Sequence, residues 1–327
     1  MQLLRKLGFP ISLLYALVVY VRNRLYDIGW FSSRSFATKT ICVGNLSVGG
    51  TGKTPMTEFL ISNLRPFKKI AVLSRGYGRK SKGFLLAGPG IGVGELGDEP
   101  YQIARKFPGI TVAVDIDRQH GIDVLEKTIA PDVILMDDAF QHRKVRCDHY
   151  ILLTSYGQLY IDDWYLPTGN LRDSKGRAKR ADLIVVTKCP KDLNLAGQER
   201  IRKKLNPLPD QKVLFSYLEY SSGLKGAGDL ELEELRGRRV TLVTGIADPA
   251  PLVGYLESQG LVLEHLSYRD HHFFSEREIG LFAKKEVVLT TEKDYVRLEG
   301  KVDALYYIGI RHVFMADGKE VLLKKLG

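Results

Sequence analysis

From about Lys39 onward, short runs of β-branched and apolar residues alternate with segments whose apolar positions recur at helical spacing. The strand-like runs are Thr40–Val43, Ile70–Leu73, Ile110–Val114, Val133–Met136, Tyr150–Leu153 and Leu183–Val186. Met56–Leu64, Pro100–Phe107 and Arg118–Lys127 carry the helical pattern between them. Near-continuous apolar strands separated by helices predict an α/β fold with a parallel sheet covered on both faces. Val213–Tyr220 reads as a further strand, and the Gly-, Ser- and acid-rich stretch Ser221–Gly237 after it reads as a connection. A second strand–helix series starts at Val240, with a helix near Pro249 and strands at Val287–Thr290 and Leu305–Ile308. The expected organisation is an N-terminal segment (1–34), a main domain (35–225) and a smaller C-terminal α/β lobe (226–327).

The N-terminal segment has a different pattern. Phe9–Val21 is almost unbroken apolar sequence, with Arg5 and Lys6 before it and Arg22 and Arg24 after it. As a helix it rises about 20 Å, short of the ~30 Å hydrocarbon core. No small-residue cleavage site follows it, so it is not read as a signal peptide. A buried core helix is one reading. The bracketing arginines favour a helix dipped into one leaflet of an anionic membrane.

Composition narrows the class only a little. The 327 residues are 44% hydrophobic and 26% charged, which is ordinary globular material. Cys42, Cys147 and Cys189 have no C-x-x-C spacing and read as reduced thiols rather than a disulfide frame or zinc site. The net charge of +10 points to a polyanionic partner, which by itself could be nucleic acid, membrane or a phosphorylated substrate.

The chemistry is concentrated in a few motifs. Ser47-Val48-Gly49-Gly50-Thr51-Gly52-Lys53-Thr54 follows one predicted strand and precedes a helix, the setting a phosphate-binding loop requires. Its glycines let backbone N–H groups curl round an anion, Lys53 reaches the phosphates, and the Thr54 hydroxyl suits Mg²⁺. Ser47 stands where the first glycine of G-x-x-x-x-G-K-[ST] belongs. Val133–Met136 ends in Asp137-Asp138, placed as the magnesium-side carboxylates of a P-loop enzyme are. Gly97-Asp98-Glu99-Pro100 opens a helix, where acids are favourable as plain capping residues, although Glu99 adds a third carboxylate for a metal. Asp270-His271-His272 lacks the further ligand spacing of a zinc site. Arg172–Arg180 holds five basic residues and one acid, suited to a solvated face or to phosphate. Thr187 and Pro190 stand where a guanine reader of the Asn-Lys-x-Asp kind needs Asn and Asp, which favours ATP over GTP.

With these motifs in view, nearly the whole chain resembles the tetraacyldisaccharide 4′-kinase family of lipid A synthesis. The resemblance lies in Arg22–Asp27, Val43–Pro55, Leu73–Arg79, Gly97–Pro100, Asp137–His142, Asp270–Phe273 and Thr291–Asp294. It implies a P-loop NTPase-type kinase with a smaller C-terminal lobe and a helix at the cytoplasmic face of the inner membrane. It implies transfer of the ATP γ-phosphoryl to the 4′-hydroxyl of an acylated glucosamine disaccharide 1-phosphate, with Mg²⁺ and without nucleic acid or an obligate protein partner. By the same resemblance Asp98 is the base, aided by His271, and Arg172 matches a family arginine. Ser47 matches the family's own loop. Asp173, Asn170 and Ala139 depart from the family's glutamate, proline and glycine.

Two alternatives stay open on sequence. One is a metallochaperone-type P-loop GTPase, disfavoured by the missing guanine acceptors and metal-ligand clusters. The other is a non-enzymatic, nucleotide-binding membrane adaptor.

Overall fold

The computed structural model describes Arg5 and residues 8–327; Lys6, one of the cations flanking the apolar run, lies outside the described residues. The strands are β1 (Lys39–Asn45), β2 (Ile70–Ser74), β3 (Leu85–Leu86), β4 (Thr111–Val114), β5 (Val133–Asp137), β6 (His149–Ser155) and β7 (Leu183–Thr187). They continue as β8 (Lys212–Gly226), β9 (Leu230–Glu231), β10 (Arg239–Thr244), β11 (Val262–Ser267), β12 (Val288–Thr291) and β13 (Leu305–Phe314). All join one sheet in the order β11-β10-β12-β13-β8-β7-β6-β1-β5-β2-β4-β3, with β9 paired to β8.

From β8 to β4 neighbouring strands are parallel, and β1 lies between β6 and β5. Alternation along β1 feeds two cores. Cys42 packs on one face with Ile122 and Leu125, while Ile41 and Val43 pack on the other with Met56, Leu60 and Ile103. Cys42, Cys147 and Cys189 are all buried free thiols.

The Ser221–Gly237 stretch is not the plain connection its composition predicts. β8 runs 15 residues to Gly226, pairing parallel with β7 at its start and antiparallel with β13 afterwards. The second parallel set, β11-β10-β12-β13, has its own two cores, around Leu252 and Leu256 and around Phe282 and Leu298.

The N-terminal helix spans Phe9–Asp27, longer than the apolar run. Apart from Val19, its inward face is polar. Ser12 Oγ lies 2.8 Å from Thr168 Oγ1, and the Tyr15 hydroxyl donates to the Arg172 carbonyl at 3.1 Å. Asn23 Nδ2 donates to Asp173 at 2.7 Å, and Arg143 and Arg177 both hold Asp27 at 2.8 Å. Leu13, Leu14, Leu17, Val18 and Tyr20 are each more than half exposed, so the buried-core reading of this helix does not hold. Among the described residues no helix is long and apolar enough to cross a membrane.

The helices Asp98–Lys106 and Glu292–Leu298 meet through charge. Lys106 Nζ lies 2.7 Å from both Glu58 and Glu292, and Arg105 pairs with Glu299. Burial, then the neighbouring Glu292, pushes the Glu58 carboxyl up to about 7 against the pull of Lys106. The folded chain therefore holds the Glu58 proton more tightly than the unfolded chain does. That contribution to stability is full below the ordinary carboxyl value of 4.5 and is lost as pH rises through about 7. Glu58→Gln is expected to flatten this part of the slope, measured as Tm against pH for both proteins. Parallel Tm profiles would mean that Glu58 is ionised and paired throughout.

Candidate functional site

The phosphate loop leaves the carboxyl end of β1, in the middle of the parallel strands, where open α/β sheets form ligand crevices. Gly49 and Gly52 take φ of +118° and +84°, which only glycine adopts without strain. Outside contacts pin the loop. Val48 N–H donates to the Asn170 carbonyl at 2.8 Å, and Asn45 Nδ2 donates to Thr51 Oγ1 at 2.9 Å. Lys53 begins the helix Lys53–Leu64, with Nζ 3.9 Å from Asp138 Oδ1.

Asp137 ends β5 and Asp138 follows with φ of +48°. Arg172 donates Nη1–H to Asp138 at 3.0 Å, pairs with its second oxygen through Nη2, and also reaches Asn45 Oδ1 at 2.6 Å. Burial pushes Asp138 up, but Lys53 and Arg172 outweigh it and hold the carboxyl below its ordinary value. Asp137 is buried, has among the described residues only a 3.4 Å side-chain contact from the Thr57 hydroxyl, and is pushed up to about 7 by burial and by Asp138. A carboxylate so poorly compensated, beside a second carboxylate, fits a hard cation that prefers oxygen ligands. Arg118 is buried nearby with its Nε unpartnered, and burial lowers it to about 10.

The second cluster joins distant parts of the chain. Asp98 opens the helix Asp98–Lys106 after Gly97, whose φ is +91°. Buried Asp98 accepts from His271 Nδ1 at 2.6 Å and from Arg297 Nε at 2.9 Å, and Arg297 Nη2 pairs with its second oxygen. Burial alone would raise Asp98, but His271 and Arg297 bring the carboxyl down to about 2. It is therefore ionised at neutral pH and is not simply a helix cap.

His271 has φ of +60° and packs its ring 5.4 Å from that of Tyr77. Its Nε2 lies 3.0 Å from Lys293 Nζ, which also pairs with Glu99 at 3.3 Å and Asp270 at 3.1 Å. Asp98, Glu99 and His271 offer ligand atoms within 4.8 Å of one another, but the Lys293 ammonium already supplies positive charge there. Glu99 is also close enough to help raise Asp137, which connects the two clusters. His272 belongs to structure, bonded to Glu278 at 3.1 Å and stacked on Tyr268.

The structure brings together Lys53, Asp138 and Arg172 in one group and Asp98, Glu99 and His271 in another. Within the basic segment, Arg172 serves the first group, while Arg177 ties to Asp27 and Arg180 lies over the Tyr150 ring. Sequence reasoning missed Arg297, Lys293, Asn45 and Arg118. Lys293 and Asn45 sit inside stretches that carried the resemblance, and Arg297 lies three residues beyond one.

Residues 4–327 match the family model described as tetraacyldisaccharide-1-P 4′-kinase. The tetraacyldisaccharide 4′-kinase of Flavobacterium johnsoniae is 47% identical over 322 residues, covering 96% of this chain and 94% of the relative. That of Bacteroides thetaiotaomicron is 44% identical, covering 89% and 82%. The crystal structure of LpxK from Aquifex aeolicus in complex with ATP superposes with a TM-score of 0.81 at 31% identity, over 99% of this chain and 98% of that one. The chain belongs to the tetraacyldisaccharide-1-P 4′-kinase family.

Proposed function

We propose that the chain transfers the γ-phosphoryl group of ATP to the 4′-hydroxyl of an acylated glucosamine disaccharide 1-phosphate, giving the 1,4′-bisphosphate. The observation that carries this reading is the ionised Asp98, held by His271 and Arg297 and linked through Glu99 to a phosphate loop that has its own carboxylate pair. In this reading residues 35–225 supply the nucleotide site, and the lobe formed by 226–327 supplies His271 and the residues that hold Asp98.

Backbone N–H groups of Val48–Thr54 and the Lys53 ammonium bind the phosphates, as the helix behind the loop favours. The Thr54 hydroxyl with Asp137, Asp138 or Glu99 would hold Mg²⁺, whose chemistry there would be to neutralise charge on the phosphate oxygens. Arg172, anchored by Asp138 and Asn45, offers a guanidinium to charge developing on the transferred group. The sugar hydroxyl is oriented by Asp98, and its proton passes to the Asp98–His271 pair as the new P–O bond forms. A carboxylate held near 2 is a weak base. That suits a loose transfer in which positioning matters most and the proton leaves late.

The apolar ridge of the N-terminal helix lies in an anionic membrane, at the cytoplasmic face of the inner membrane, so the site meets an acceptor whose acyl chains stay in the bilayer. The polar inward face and the exposed Leu13, Leu14, Leu17 and Val18 support this, with arginines at both ends of the apolar run.

The activity test is incubation with ATP, Mg²⁺ and the disaccharide 1-phosphate lipid, followed by mass analysis. One added phosphoryl group on the lipid is expected, and ATP hydrolysis with no phosphorylated lipid contradicts the assignment. Asp98→Asn and His271→Ala are each expected to slow transfer by about 10²–10⁴-fold with ATP affinity kept. Their double variant should be little slower than the worse single one, because residues acting as a unit are non-additive. Defects that simply multiply would make them independent positions.

Leu13→Glu with Leu17→Glu changes only the exposed ridge. Flotation with anionic liposomes is expected to fall by at least about tenfold, given the ~1.5–3 kcal/mol that burying each leucine contributes. High salt should weaken the intact protein's binding only in part. A double variant that floats like the parent contradicts the membrane role.

A further inference from the structure

Two carbonyl groups of the phosphate loop are gripped from outside the loop by side chains to which the sequence motif gives no role. The Thr187 hydroxyl, at the end of β7, donates to the Thr51 carbonyl at 2.9 Å. His312, on β13, lies with Nε2 2.9 Å from the Gly52 carbonyl and Nδ1 3.0 Å from Ser216 Oγ on β8. Both side chains are buried, Thr187 at 0% and His312 at 3% exposure. The Gly52 carbonyl also accepts from Met56 N–H at 3.0 Å, so it uses both lone pairs.

The chemistry fixes the imidazole. A carbonyl only accepts, so Nε2 carries the proton, and in the neutral ring Nδ1 accepts from the Ser216 hydroxyl. Burial pushes His312 down to about 4, so it is neutral under working conditions. The ring sits where a side chain at residue 52 would have to go, since a Cβ there would come within 2.9 Å of Nε2.

The consequence falls on the other side of the peptide. In a planar trans peptide the C=O of one residue and the N–H of the next point in opposite directions. Holding the carbonyls of Thr51 and Gly52 against β7 and β13 therefore turns the N–H groups of Gly52 and Lys53 the other way, into the phosphate cradle. We propose that Thr187 and His312 are positioning residues of the phosphate loop, which fix these two donors before the nucleotide arrives and so set its affinity. This makes β13, from the C-terminal part of the chain, a contributor to nucleotide binding. The proposal rests on the reading of residues 47–54 as the ATP site.

His312→Leu removes the donor and keeps bulk, while His312→Gln restores an N–H near the position of Nε2. Thr187→Val removes the hydroxyl at constant shape, and Thr187→Ser keeps it. Tm is measured for each, with Kd and KM for ATP, KM for the acceptor lipid, and kcat. His312→Leu and Thr187→Val are expected to raise Kd and KM for ATP by roughly 5- to 30-fold, as loss of a buried hydrogen bond implies. kcat and lipid KM should stay close to the parent values, as expected when the lost interaction binds ground state and transition state alike. His312→Gln and Thr187→Ser should recover most of the ATP affinity. Unchanged ATP affinity in folded His312→Leu and Thr187→Val overturns the proposal. So does a loss that follows Tm alone and is not recovered by the conservative variants. Should His312→Leu fail to fold, the Thr187→Val and Thr187→Ser pair decides by the same criterion. Lys53→Ala separates the two levels. If it leaves ATP affinity intact, the loop is not the nucleotide site and both readings fall; if it weakens ATP while the other variants do not, only the positioning proposal falls.

Discussion

A single buried carboxylate, Asp98, organises the cluster of charged side chains that joins distant parts of this chain. Burying an ionised Asp98 costs several kcal/mol unless it is paired and hydrogen-bonded. Its partners are Arg297 and His271, 199 and 173 residues away in sequence. That requirement docks the helix Glu292–Leu298 on the helix Asp98–Lys106, and the ion pairs of Lys106 with Glu292 and Arg105 with Glu299 repeat the join further along. Lys293, on the same helix, then meets Glu99 and His271. The same contacts that answer a buried charge therefore assemble the groups to which the proposed reaction gives the acceptor hydroxyl.

The N-terminal helix solves the reverse problem. Its buried face is held by hydroxyl, amide and carboxylate contacts with Val19 among them, and the apolar ridge of Leu13, Leu14, Leu17 and Val18 faces outward. In water such an arrangement leaves transfer free energy unused, whereas against lipid it does not. Asp173, where the family pattern has glutamate, has a structural task here: it accepts from Asn23 and so ties the helix to the segment that carries Arg172.

The strands and the phosphate loop were legible because their signals are local: period, β-branched runs, and glycines at fixed spacing. Asp98 was not legible from pattern, since an acid at a helix start is adequately explained by the helix dipole. Only its distant partners distinguish the two roles, and resemblance alone had pointed there. Arg297 and His312 were missed for the same reason. One sits in a short charged helix and the other in an apolar strand, and nothing local says that either faces a buried acceptor. The composition of Ser221–Gly237 suggested a connection because β8 ends in small and polar residues, yet pairing with β13 keeps it a strand as far as Gly226. For the N-terminal helix the apolar run was visible but the direction it faces was not, because Ser12 and Asn23 find their partners about 150 residues downstream.

If Asp98 is held for catalysis by the second lobe, Arg297 is the residue whose loss separates chemistry from nucleotide binding. The direct measurement is single-turnover phosphoryl transfer in Arg297→Met and Arg297→Lys, below the melting temperature of each, beside the ATP dissociation constant. The expected result is transfer slowed by about 10²-fold or more in Arg297→Met and partly restored in Arg297→Lys, with ATP affinity within about threefold of the parent. Transfer at the parent rate in folded Arg297→Met, or ATP affinity falling in step with it, would contradict the role given to the Asp98 clamp.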